Sequence, residues 1–183
     1  SLLYMQVDTD FKFEPIGNEA KYKNARVFYF DGEFDFAQGQ LGVLKESTSK
    51  IIANDALQLS VMITDNYGLD SNYQAMMWFA TAERLIEQHL YDSAFVLFDS
   101  IQINFPMHSL ADEILFRKGK AMEQQGKWVA AAEYYNDLLK FHSDDILGDD
   151  ALFRLADMEE NQFQNKEKAL EYYKRLMIEF KGS

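Results

Sequence analysis

The chain has 183 residues, 48% of them hydrophobic and 26% charged with only two prolines, a composition that excludes a disordered protein. Thirty acidic against eighteen basic residues leave a net charge of −12, the wrong sign for neutralising phosphates, so nonspecific nucleic-acid binding is set aside. With no cysteine there are no disulfides, thiolate metal sites or cysteine nucleophiles, and no apolar run is long enough for a transmembrane helix.

The first stretch, SLLYMQVDTD, lacks the basic segment and apolar core of a signal peptide. Residues 5–15, MQVDTDFKFEP, alternate in polarity but read as a tail, so residues 1–17 are expected to be an N-terminal extension. Ser1 without an initiator Met, and the abrupt EFKGS end, read as cut ends of a longer chain. A single repeat domain is expected over residues 18–183. Its first unit, residues 18–46, places Ala37 twelve positions after Ala25 and continues with Leu41 and Leu44. That i, i+4, i+7 spacing is one stripe of an amphipathic helix. From Ala37 to the next such alanine, Ala94, is 57 residues, about twenty too many for one unit. The surplus, KIIANDALQLSVMITDN, reads as an extra helix over about residues 51–66, followed by a turn at YGLDS, residues 67–71.

The second unit, residues 72–105, repeats the first: Ala82, then Ala94 twelve later, then Phe98 and Ile101. The third, residues 112–142, has Gly119, Ala131, Tyr135 and Leu138; the fourth, residues 149–181, has Ala156, Ala169, Tyr173 and Leu176 with a spacing of thirteen. Ala94 to Ala131 is 37 residues and Ala131 to Ala169 is 38. Two linked stripes recurring four times predict a repeated helix–turn–helix unit. The small residues let the two helices approach, and the large ones fill the wider gaps. Gly32 and Gly126 suit a positive φ where the helices turn. An aromatic follows two residues later at Phe34 and Trp128; Tyr91 takes that place after His89, and Lys166 departs from it.

With these residues in place, the chain resembles the tetratricopeptide repeat. The pattern W-x2-L-G-x2-Y, A-x3-F, P is met by Trp78, Ala82, Leu85, Ala94, Phe98 and Pro106. The third unit meets it through Leu115, Gly119, Met122, Ala131 and Tyr135. The fourth does so through Leu152, Leu155, Ala156, Ala169 and Tyr173, and the first more loosely through Ala25, Phe28, Gly32, Ala37 and Leu41. The resemblance covers residues 18–181 and implies an all-α fold, a right-handed superhelix (α-solenoid) of about nine helices. The connections FPMHSLADEILFRKGKAM and FHSDDILGDDALFRLADM resemble those of bacterial envelope lipoproteins that assist outer-membrane assembly and of periplasmic coordinator proteins. That similarity implies a cell-envelope or periplasmic location, with the cytoplasm as the alternative.

No catalytic constellation, metal site or cofactor motif emerges. His89, His108 and His142 sit in separate turns or helix ends, and the acidic stretches break the calcium-loop pattern at Lys12 and Ile146. Glycine-rich phosphate loops, G-x-S-x-G and H-E-x-x-H are all missing. The remaining candidate is a surface. Three residues before each small residue stands an aromatic, Tyr22, Phe79, Phe116 or Phe153, and just after it a charge, Arg26, Glu83, Lys120 or Asp157. The family resemblance puts both on the first helix of each pair, facing the concave side. There they would hold a protein or peptide partner, unless the rings pack between units instead. The expected function is a non-catalytic interaction scaffold. A structural spacer without its own ligand, or a regulatory module of an enzyme complex, are the alternatives.

Overall fold

A computed structural model describes residues 2–12, 14–45, 50–68, 73–141 and 147–180. The chain divides into two compact units, residues 1–109 and residues 110–183. Among the described residues every regular element is helical. These residues form ten α-helices, one more than the nine or so expected, because α1 (Leu2–Asp10) forms in the stretch read as a tail. It lies against α2 (Pro15–Phe30), where Lys21 Nζ meets Asp8 Oδ2 at 2.7 Å.

In the first unit α2 and α3 (Phe34–Leu44) pack as a hairpin, with Ala25 of α2 and the stripe Ala37, Leu41 and Leu44 of α3 all buried. The inserted helix α4 (Lys50–Ile63) packs on α3 and ends in a π-helical turn, Thr64–Gly68. Polar groups fix this junction. Gln38 Nε2 donates to the Ser60 carbonyl at 2.8 Å and to Thr64 Oγ1 at 2.9 Å, and Ser60 Oγ donates to Gln38 Oε1 at 2.6 Å. A ring cluster of Phe34, Tyr67 and Tyr73 ties the π turn to the second hairpin, α5 (Tyr73–Glu87) and α6 (Tyr91–Asn104).

The second unit stacks α7 (Ala111–Gln124), α8 (Trp128–Phe141), α9 (Leu147–Asn161) and α10 (Lys166–Glu179) around one core. Asp112 and Glu113 occupy the first turn of α7, and Asp149 and Asp150 that of α9, where carboxylates meet the unsatisfied N–H groups and the positive end of the dipole. At Gly119 the approach is so close that a Cβ would lie 2.6 Å from the Tyr135 ring. In α10 the buried tyrosine is Tyr172, while Tyr173, expected in the core, is only half-buried. The hairpin entering α10 carries one extra residue, thirteen from Ala156 to Ala169 against twelve in the others, and Ala169 stays buried.

All four hairpins turn through one residue of positive φ: Gly32 at 80°, His89 at 60°, Gly126 at 70° and Gln164 at 54°. In three of them the amide just after the positive-φ residue, three beyond the last helical residue, bonds back to a carbonyl five residues earlier: from Glu33 to Phe28, Leu90 to Leu85 and Lys127 to Met122.

Candidate protein-interaction surface

The eight residues singled out by their repeat position lie on α2, α5, α7 and α9, the first helix of each hairpin. Their environments differ sharply. Phe79 is buried against Phe98 of its own hairpin, ring centroids 5.5 Å apart, and Phe116 is buried against Tyr135 at 5.6 Å. Neither ring is open to a partner, which corrects their reading as recognition residues. In these two hairpins the aromatic points into the space between the paired helices, where its apolar area is removed from water.

Tyr22 and Arg26 line a cavity of about 380 Å³ between α2 and α4, whose walls also carry Glu19, Lys23 and Asp55. Arg26 forms an ion pair with Glu87 of α5 and lies over the Phe30 ring at 5.2 Å. Glu83 accepts a hydrogen bond from the Tyr29 hydroxyl at 2.6 Å. Arg26 and Glu83 thus bind α2 to α5 inside the first unit, and their charges are largely committed there.

The second unit is different. Lys120 stands over the Phe116 ring at 5.7 Å. Burial, reinforced by the neighbouring Arg117 and Arg154, pulls its pKa below the ordinary lysine value. Arg154 of α9 reaches Glu123 of α7 at 3.5 Å, and Glu123 also accepts from the Tyr135 hydroxyl at 2.5 Å. Burial pushes the Asp150 carboxyl up, with Asp149 adding to it. Asp157 is half-exposed and accepts from Asn161 at 2.8 Å. Phe153 is the one aromatic of the four that is open to solvent, 49% exposed, with its ring edge toward Tyr173 at 6.4 Å. Arg154 and Glu123 are functional candidates not singled out by repeat position. The recurrent Phe-Arg pair at 116–117 and 153–154 was the available signal.

His89 and His108 stand far apart in sequence, with His89 Nδ1 at 2.9 Å from the Tyr91 hydroxyl and His108 buried; His142 lies outside the described residues, as do residues 143–146 of the acidic stretch. No three His, Asp or Glu side chains converge among the described residues, nor is any helix there long and apolar enough to cross a membrane.

Paired antiparallel helices repeated with small residues at their contacts define an all-α protein of helical-hairpin repeats. More particularly, the tetratricopeptide repeat family model matches residues 113–145 and 150–183, both within the second unit. No curated protein and no solved structure matches the chain.

Proposed function

We propose that this chain is a non-catalytic scaffold that offers the first-helix face of its second unit to a protein or peptide partner. The observation that carries this reading is the set of Lys120, Arg154 and Asp157, partly exposed charges on α7 and α9, with the open ring of Phe153 beside them. Alternating charge with one apolar anchor favours a partner segment of mixed charge over a polyanion or a polycation. The tetratricopeptide match supports protein binding as the general role.

Charge reversal tests it. Affinity capture with the parent protein, followed by mass spectrometry, is expected to lose a defined partner when Lys120→Glu and Arg154→Glu are combined. An unchanged set of captured proteins would sink the proposal. A spacer reading has its own support in the first unit, where Arg26 and Glu83 hold helices together and Phe79 is buried. It predicts that Arg26→Ala lowers thermal stability without changing capture.

The similarity of the two inter-unit connections to envelope repeat proteins supports a place in the bacterial cell envelope, with a part in its assembly. Fractionation of cells is expected to recover the parent outside the cytoplasm; exclusively cytosolic recovery would refute that placement.

A further inference from the structure

Within the second unit each surface position of α7 and α8 has a counterpart on α9 and α10. Phe116, Ala132, Tyr135 and Leu139 belong to the packed side of α7 and α8, in the core shared with Ala151, Leu152 and Leu155 of α9. Advancing 37 or 38 residues turns those four positions into Phe153, Leu170, Tyr173 and Met177. The last three follow the i, i+3, i+7 spacing of a single helical stripe. Most of this second copy is uncovered: Leu170 is 53% and Met177 76% exposed, beside the open Phe153, while Tyr173 is half-buried against the core. A hairpin that closes a repeat array carries a polar outer face, and this one is apolar.

We propose that the face of α9 and α10 formed by Phe153, Leu170, Tyr173 and Met177 seats an amphipathic helix of a partner protein, in the way the face of α7 and α8 seats α9. The first copy of the face specifies the occupant. It is a helix with small residues and leucines in one stripe, as in Ala151, Leu152 and Leu155, and an acidic first turn. Charge agrees with that choice. Asp150 of α9 lies within the fields of Arg154 on its own helix and, next, of Lys120 and Arg117 of α7. Arg154 is the counterpart of Arg117, so an acidic first turn again meets a cation. Asp157 replaces Lys120 in the second copy, which favours one acidic residue in the partner over a pair. This surface shares Phe153 and Arg154 with the first-helix face of the proposed function and adds Leu170, Tyr173 and Met177 of α10.

A peptide with the sequence of residues 147–161, held helical by a lactam bridge on its outward side and checked by circular dichroism, is the probe. Fluorescence anisotropy with the full chain should show saturable binding that a scrambled bridged peptide lacks. Leu170→Glu with Met177→Glu should weaken it by about tenfold or more, since two anchors become charges. Both positions are exposed, so the variant's thermal melt should match the parent's. Lys120→Glu, which leaves Phe153, Arg154 and α10 untouched, serves as a check on the first-helix face and should retain Leu170-dependent binding. No saturable binding, or binding indifferent to the double variant, overturns the proposal. So does sedimentation showing a dimer that the variant dissociates, because the occupant would then be a second copy.

Discussion

Gly119 is where one hydrogen atom in place of a methyl group decides the packing. A Cβ there would sit 2.6 Å from Cε1 and 2.8 Å from Cζ of Tyr135, a fully buried ring whose hydroxyl is already bonded to Glu123. Gly119→Ala would gain about 1 kcal/mol of helix propensity and lose about 1–3 kcal/mol to overpacking. The net expectation is a loss of stability, read as a lower denaturation midpoint with an unchanged slope. Ala131→Leu, across the same contact, is expected to lose about 1–3 kcal/mol with no compensating gain. Lys120 gives a pH-dependent test. Its folded-state pKa lies below the ordinary 10.5 through burial first and the charges of Arg117 and Arg154 next, so the folded state disfavours the proton. That penalty is fully present below the folded value and fades as pH rises through it towards 10.5. Lys120→Met should therefore stabilise the chain at pH 7, by less than about 1 kcal/mol. The gain in melting temperature should shrink as the pH approaches the ordinary lysine value. A gain independent of pH would contradict the electrostatic cause.

At the scale of elements, the turn chemistry separates what residue type predicts from what it does not. Glycine at positions 32 and 126 announces positive φ, and both positions have it. His89 and Gln164 adopt the same left-handed conformation with a Cβ, because the helices on either side are held by packing and the turn must follow. Gln164→Gly should relieve that strain and stabilise by up to about 1 kcal/mol. The comparison is the melting temperature against Gln164→Ala, which keeps the Cβ and should not gain. Helix α1 escaped the sequence reading because its hydrophobic residues follow no clear face; Leu2, Leu3 and Met5 are exposed, and α2 holds it through Asp8 and Lys21. The shift from Tyr173 to Tyr172 in α10 has a similar origin. Adjacent tyrosines leave the choice of which faces inward to packing.

For the whole molecule the dominant quantity is charge. A net −12 with a pI near 4.6 leaves only local cation clusters such as Arg117, Lys120 and Arg154 on an acidic background. Long-range repulsion of polyanions follows. Titration of a labelled duplex DNA at physiological salt is expected to show no saturable binding at micromolar protein. Binding with a steep salt dependence would refute the sequence-level exclusion of nucleic acid. Each of the two units carries its own helical hairpins, and the tetratricopeptide matches fall in the second.

The sequence by itself determined the all-α hairpin architecture. Four copies of a small residue followed by large ones at helical spacing admit few other packings, and Ala25, Ala37, Ala82, Ala94, Gly119, Ala131, Ala156 and Ala169 are all buried where two helices meet. The inserted helix and the acidic first turns were legible for the same local reasons. Tertiary structure alone decided which member of a repeated position remains available. Phe79, Phe116 and Phe153 share one register, yet the first two are enclosed by neighbouring helices and the third is open. Periodicity reports the direction of a side chain relative to its own helix; what covers that side chain depends on the neighbour, and the neighbour is not encoded at that position.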